Sequence, residues 1–243
     1  MQLLNQFKFY YNGLYIKKID SLIISDLHIG LESELKRSGL HLPLNEEKLL
    51  TDIIEKLFQK ITPKNIILNG DILHSFSTLN YEIKQEFMRI IELLKKRSTR
   101  IYFIKGSHDT FIEKLVEPIN FRSKSFIDED ILITHGNYSI DISKEINTII
   151  IGHEHPCVEI NLEKIPCFLF KHHFDRILNK FINYIILPSF NPLIEGVLIN
   201  DQEFISPMLK DLNPNDFQPI INLEDETLIF PDIESLKNIQ WEL

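Results

Sequence analysis

The segment SLIISDLH, residues 21–28, joins a short apolar run to two residues of metal-binding type, Asp26 and His28. Four later segments repeat this arrangement: NIILNGD (65–71), IYFIKGSHD (101–109), ILITHG (131–136) and TIIIGHEH (148–155). Apolar runs of this length, rich in β-branched residues and bounded by glycine, predict buried strands. Because ligand sites of α/β sheets lie outside the carboxyl ends of the strands, we expect the five clusters to form one site.

The first half of the chain alternates strands with helices. Residues 7–17 alternate in polarity around Asn12-Gly13, which predicts a hairpin. Helical signals follow at 32–37, from the cap residue Asn45 to about residue 60, and over 81–97. The order β, helix, β, helix, β over residues 21–105 predicts parallel strands joined by right-handed crossovers.

The second half of the chain has a different pattern. Short strands are predicted at 131–134, 148–151, 157–161, 165–170, 184–188 and 196–199, with one helical patch at 172–182 that begins near His172 and His173. This density favours a second, mixed sheet packed on the first. We expect one domain, residues 1–200, with a C-terminal appendage, residues 201–243, packed on it.

Charge and cysteine content limit the function. The 243 residues carry a formal net charge of −9, which argues against a basic surface for long nucleic acid but not against a phosphodiester bound through divalent metals. Cys157 and Cys167 are too few for a disulfide framework, so we expect buried free thiols. The sequence shows no signal-peptide pattern and no apolar run of about 18 residues, so we expect a soluble, cytoplasmic protein without a membrane partner.

The clusters supply more ligands than one metal ion uses. Asp26 and His28 are two residues apart, so in extended chain both reach one ion, and the same holds for His153 and His155. Carboxylate and imidazole together suit Mn²⁺, Fe²⁺ or Zn²⁺ better than Ca²⁺ or Mg²⁺. With Asp71 and His135 added, the six ligands indicate two metals about 3.5–4 Å apart that share a carboxylate.

The ordered motifs resemble those of the calcineurin-like metallophosphoesterase superfamily, whose pattern is D-x-H, G-D, G-N-H-D/E, H and G-H-x-H. Within it, SDLHIGLE (25–32) and GDILH (70–74) resemble the branch related to SbcD-type nucleases, and LPSFNPL (187–193) resembles archaeal and ligase-associated phosphoesterases of that branch. The resemblance implies an α/β fold, an αββα sandwich of two mixed sheets flanked by helices. In this branch a homodimer is a familiar assembly.

The resemblance also implies roles for single residues. Metal one would be held by Asp26, His28, Asp71 and His155, and metal two by Asp71, His135, His153 and Ser107. The implied mechanism is attack on phosphorus by a hydroxide between the two metals. His108 would act beside the leaving group, and His74 would contact the leaving group or substrate. Asp109 would orient His108 or only cap the segment that begins at Thr110. Mn²⁺ is the expected metal, with Fe²⁺, Zn²⁺ and Ni²⁺ as alternatives.

One residue departs from the family pattern. Ser107 stands where the family has an asparagine that ligates metal two, and a hydroxyl is a shorter and poorer ligand than an amide oxygen. We therefore expect the second metal to be bound more weakly, through a water, or only at high Mn²⁺ concentration.

Three functions follow from these residues. The first is metal-dependent hydrolysis of a phosphodiester, in a nucleotide or a short single-stranded nucleic acid. The alternatives are a binding or scaffold protein with an impaired site, which Ser107 supports, and a phosphomonoesterase. Asn191, in SFNPL, is expected to shape a turn before Pro192.

Overall fold

The computed structural model describes residues 2–41, 43, 45–74, 81–199, 203–223, 226–233 and 236. Its first sheet contains β1 (Phe7–Tyr10), β2 (Gly13–Ile16), β3 (Ser21–Ile24), β4 (Asn65–Asn69), β5 (Arg100–Ile104) and β6 (Phe121–Arg122), adjacent in that order. The strands β1 to β3 pair antiparallel, and β3 to β6 pair parallel. Both the predicted hairpin and the predicted parallel strands are therefore confirmed.

Three α-helices connect the parallel strands: α1 (Leu31–Arg37), α2 (Glu46–Lys60) and α3 (Tyr81–Lys95). The side chain of Asn45 caps α2 by accepting a hydrogen bond from Lys48 N at 2.9 Å. The apolar faces of α2 and α3 pack on one face of the first sheet, where they contact Leu22 and Ile24. The intervening Ile23 points to the opposite face, as the two-residue period of a strand requires.

The remaining strands form a second large sheet and a small one. They are β7 (Ser125–Asp128), β8 (Ile131–Thr134), β9 (Thr148–Ile151), β10 (Pro156–Ile160), β11 (Glu163–Pro166), β12 (Phe168–Asp175), β13 (Lys180–Ile186), β14 (Val197–Leu198), β15 (Gln218–Leu223) and β16 (Glu226–Ile229). The large sheet has the order β16-β15-β12-β13-β9-β8-β7, and the small one β11-β10-β14. In the large sheet β8, β9 and β13 are parallel and the other pairs are antiparallel.

The two large sheets pack face to face through a shared apolar core. Ile23 and Ile67 of the first sheet lie in one cluster with Ile133, Ile150 and Ile185 of the second. The outer face of the second sheet packs against segments between residues 140 and 236 that include Met208, Leu209 and Phe217. The predicted sandwich of two mixed sheets is confirmed.

The helical patch predicted at 172–182 is wrong, because these residues form the hairpin of β12 and β13. His172 pairs with Asn183 and His173 with Ile182, so neither histidine begins a helix. Residues 168–170 are buried, whereas residues 171–175, which do not pair with β15, alternate between half-buried and exposed positions. The Asp175 side chain accepts hydrogen bonds from the amides of Ile177 and Leu178, which stabilises a turn after β12.

Three further expectations concern cysteines, membranes and domains. Cys157 and Cys167 are free and buried, as expected. Among the described residues, no helix has the length and apolar character that a membrane crossing needs. The boundary at residue 200 stays a prediction; the described part of 201–243 adds β15 and β16 to the large second sheet.

Glu86 gives the fold a pH-dependent stability. It lies on α3 with 9% of its surface exposed, and its Oε1 makes no hydrogen bond within the described residues. Burial, together with the charges of Glu46, Glu47 and Glu32, raises its pKa from 4.5 to about 8. The folded state therefore keeps a proton that the unfolded chain releases near pH 4.5, and the free energy of unfolding falls as the pH rises toward 8.

We expect Glu86→Gln to remove this dependence. The variant should unfold at a higher temperature than the wild type at pH 8.5, by about 4–8 °C for roughly 2 kcal/mol, and at the same temperature at pH 4. Thermal unfolding at both pH values measures the effect. The exposed Glu92→Gln on the same helix serves as the control, and an equal gain in both variants at pH 8.5 would contradict the prediction.

Candidate metal centre

The loops that follow five parallel strands meet at one edge of the sandwich. Asp26 and His28 follow β3, Asp71 follows β4 and residues 107–109 follow β5, while His135 and the segment 153–155 follow β8 and β9. The loops bond to each other: Asp26 N donates to Gly70 O at 3.1 Å and His28 N to Asp71 O at 2.8 Å. Across the two sheets, the Asn69 side chain donates to Thr134 O at 2.9 Å. The five clusters therefore converge, as the sequence predicts.

Of three groups of side chains that have the spacing of a metal site among the described residues, two combine a carboxylate with imidazoles. The first contains Asp26, His28 and His155, whose ligand atoms lie within 4.8 Å of one another. Its closest pair is His155 Nε2 and Asp26 Oδ1, at 3.0 Å.

The second group contains Asp71, His135 and His153, with ligand atoms equally close together. Here His135 Nε2 lies 3.3 Å from Asp71 Oδ2. The same Asp71 Oδ2 lies 4.0 Å from His28 Nε2, which belongs to the first group. Asp71 is therefore placed to contribute to both groups.

The donor atoms fit divalent cations. Four buried atoms, Asp26 Oδ1 and the Nε2 atoms of His28, His135 and His155, make no hydrogen bond among the residues that the structure describes. A buried polar atom without a partner costs about 1–3 kcal/mol, and coordination would remove this cost. The opposite nitrogen of His135, Nδ1, donates to Asn69 O at 3.1 Å, which leaves Nε2 as the ring nitrogen that faces Asp71. The set of carboxylates and imidazoles suits Mn²⁺, Fe²⁺ or Zn²⁺.

The loop backbone is strained at the candidate ligands. Left-handed backbone occurs at Asp26 (φ 58°), His28 (φ 44°), Asp71 (φ 45°), His153 (φ 70°) and His155 (φ 45°). A residue with a β-carbon pays about 1–3 kcal/mol for this conformation, which persists only where the surroundings enforce it. Such strain typically marks functional sites.

Gly70 shows how closely the loops pack. It has φ 77°, and a β-carbon there would overlap the ring of His135. The glycine before Asp71 therefore allows the loops after β4 and β8 to approach each other.

The carboxylates and imidazoles shift each other's pKa. Burial raises the pKa of Asp71, but the nearby His135 imidazole outweighs this effect and holds that pKa well below its usual range. Burial lowers the pKa of His135, yet contacts with Asp71 and Asp26 raise it to about 9. Burial lowers the pKa of His28 to about 3, so this imidazole is neutral and has a lone pair for coordination.

Ser107 and Asp109 occupy supporting positions. The Ser107 hydroxyl donates to Asp71 Oδ2 at 3.0 Å, and His108 N donates to Asp71 Oδ1 at 2.8 Å. Asp109 is fully buried; its Oδ1 accepts from the amides of Ile72 and Leu73, and its Oδ2 accepts from Gly106 N. Asp109 thus ties the loop after β4 to the loop after β5.

His74 and His108 lie beside the first group. Their rings stack at 5.5 Å between centroids, and the His108 ring lies 5.0 Å from that of His28. His108 Nε2 is 3.7 Å from Asp71 Oδ2, and its side chain is 22% exposed. His28, His74 and His108 also have metal-site spacing, so a third arrangement of ligands competes for His28.

Sequence reasoning missed the residues that hold these ligands. The backbone carbonyl of Asn69 accepts a hydrogen bond from the His135 ring, and its side chain donates to Thr134 O. The only sign of this role in the sequence is that a polar residue ends a buried strand. Asn191 was expected to shape a turn. Its Oδ1 does accept from Leu193 N at 3.0 Å, but its Nδ2 also donates to the loop that carries Asp26 and His28.

Comparison of the whole fold identifies structural neighbours. The nuclease MPE from Pseudomonas putida superposes with a TM-score of 0.58 at 15% identity, over 92% of this chain and 94% of that one. YfcE, a phosphoesterase from E. coli, gives 0.45 at 13% identity, over 86% and 95%. A sequence search of curated proteins gave no match.

The family comparison agrees with the converging ligands. The model for the calcineurin-like phosphoesterases matches residues 20–215, a range that contains all five loops and the strands that precede them. Metallophosphoesterases use dinuclear metals, and this chain supplies two groups of His and Asp residues able to bind them. The chain therefore belongs to the calcineurin-like phosphoesterase family and is a metal-dependent hydrolase of phosphoesters.

Proposed function

We propose that this protein hydrolyses phosphodiester bonds, in a nucleotide or a short single-stranded nucleic acid, at a centre of two divalent metals. The observation that carries the proposal is the position of Asp71 between two metal-site groups, with Oδ2 4.0 Å from His28 Nε2 and 3.3 Å from His135 Nε2. A carboxylate placed in this way suits a bridge between two cations.

Each group would hold one cation. Asp26, His28 and His155 would hold the first, His135 and His153 the second, and Asp71 both. Bound divalent cations supply activation of water and neutralisation of charge on the phosphoryl oxygens. We propose Mn²⁺ as the metal because imidazoles and carboxylates together would hold each cation: two imidazoles and Asp71 at both, with Asp26 added at the first.

His108 would donate a proton to the leaving oxygen. Its ring lies beside both groups, partly exposed, with Nε2 3.7 Å from Asp71 Oδ2. Burial lowers its pKa, and a bound phosphate would oppose that shift. His74, stacked on His108, would contact the substrate or the leaving group.

The preference for diesters rests on the resemblance to the SbcD-related branch. The neighbour from Pseudomonas putida is described as a nuclease, and at 15% identity its likeness establishes the fold alone. The formal net charge of −9 disfavours long duplexes. Free buried cysteines support a cytoplasmic location.

A binding protein with an impaired site is the second candidate. Ser107 favours it, because its hydroxyl donates to Asp71 instead of offering an amide oxygen. The buried ligand atoms of Asp26, His28, His135 and His155 argue against it, because burying them is costly unless a cation binds.

A substrate panel with Mn²⁺ tests the proposal. It compares bis- and mono-nitrophenyl phosphate, cyclic nucleotides and single-stranded DNA. We expect cleavage of diesters above monoesters; a preference for the monoester would make the protein a phosphomonoesterase. Absence of hydrolysis together with little bound metal would support the binding protein.

Ser107→Asn tests the departure from the family pattern. An asparagine side chain reaches further and offers an amide oxygen to the second cation, so we expect tighter Mn²⁺ binding and faster turnover, each by about threefold to tenfold. A Mn²⁺ titration of activity measures both effects. Ser107→Ala, which removes the hydrogen bond to Asp71, is the control; equal or lower activity in Ser107→Asn would contradict the prediction.

A further inference from the structure

Three consecutive residues after β13 bond to three consecutive carbonyls of the loop after β3. The Ser189 hydroxyl donates to Asp26 O at 2.8 Å. Phe190 N donates to Ser25 O at 2.9 Å, and Asn191 Nδ2 donates to Leu27 O at 2.8 Å. We call residues 189–191 the strap. All three are buried, with exposures of 3%, 1% and 1%.

The strap bonds to the loop at its strained positions. Asp26 and His28 have φ values of 58° and 44°, and each left-handed residue costs about 1–3 kcal/mol unless its surroundings enforce it. The carbonyls of Asp26 and Leu27 lie within this turn, so fixing them fixes the peptide planes between the two candidate ligands. Side chains that must reach one cation depend on this orientation.

Asn191 extends the support to the far end of the loop. Its Nδ2 also donates to Glu46 Oε1 at 2.7 Å. The other oxygen of Glu46 accepts from Gly30 N at 3.2 Å and Glu32 N at 3.0 Å. Glu46 is 1% exposed, so the network is shielded from water. Hydrogen bonds contribute most to rigidity when they are shielded in this way.

We infer that Ser189 and Asn191 are positioning residues that hold Asp26 and His28 in the geometry that binds the first cation. They act through the carbonyls of the loop, to which their side chains donate. The inference rests on the proposed metal centre. Loss of such outer contacts typically weakens metal binding by 10–100-fold, which sets the expected effect.

Calorimetric titration of the full chain with Mn²⁺ tests the inference. We expect Ser189→Ala to weaken binding at one site by about 10-fold or more. Ser21→Ala is the matched control: its hydroxyl is fully buried and donates to Ile19 O at 2.8 Å, at the opposite end of the same strand β3. Both variants lose a buried hydrogen bond, so both should unfold at slightly lower temperature, but Ser21→Ala should keep wild-type affinity.

Asn191→Ala provides a second test, which also serves if Ser189→Ala fails to fold. We expect it to weaken Mn²⁺ binding by a similar factor. Wild-type affinity in the folded strap variants, or an equal loss in Ser21→Ala, would overturn the inference while leaving the proposed hydrolysis intact. A wild-type protein that binds no Mn²⁺ would overturn both the inference and the proposed function.

Discussion

Asp71→Asn should lower kcat/KM for a diester by about 10³-fold or more. The substitution keeps the size of the side chain but removes the charge between the two groups, where Oδ2 lies 3.3 Å from His135 Nε2 and 4.0 Å from His28 Nε2. Charge stabilisation by metals contributes several kcal/mol to the barrier, and each 1.4 kcal/mol is a factor of ten. Steady-state kinetics with Mn²⁺ measure the loss.

Asp52→Asn is the control for Asp71→Asn. Asp52 is exposed on α2, so this variant loses the same charge away from the centre and should keep wild-type activity. An Asp71→Asn protein that folds, binds two Mn²⁺ per chain and retains more than about a tenth of the activity would contradict the bridging role.

His108→Asn should slow hydrolysis most for substrates whose leaving oxygen must be protonated. A general acid contributes typically 10²–10⁴-fold, so we expect about 10²-fold on a dinucleotide, whose alkoxide is a poor leaving group. On bis-nitrophenyl phosphate the loss should be about tenfold or less, because nitrophenolate leaves without protonation. Parallel kinetics on the two substrates test the role.

Two outcomes would contradict this role of His108. An equal loss on both substrates would show that His108 does not protonate the leaving group. A fall in Mn²⁺ affinity would instead assign His108 to the group with His28 and His74, whose ligand atoms also have metal-site spacing.

The ligands could be predicted from sequence because each lies shortly after the end of a strand. Asp26, His28 and Asp71 come within four residues of the ends of buried strands, and parallel strands bring such positions to one edge. A count of ligands predicted a shared carboxylate, and the resemblance identified it as Asp71, whose position between the two groups agrees with this role.

The strap and the second hairpin show where sequence reasoning fails. Ser189 and Asn191 lie 163 and 164 residues from the carbonyls that they contact, and no local pattern encodes such a pairing. Residues 172–182 mix polar and aromatic residues without a clear period. They form the outer part of the hairpin of β12 and β13, whose inner parts pair with β15 and β9. In both places tertiary contacts decide a conformation that local propensity leaves open.

A crystal soaked in Mn²⁺ and measured for anomalous scattering tests the two-metal centre most directly. We predict two peaks about 3.5–4 Å apart, with Asp71 between them, Asp26, His28 and His155 around one and His135 and His153 around the other. A single peak, or two peaks that Asp71 does not join, would contradict the account.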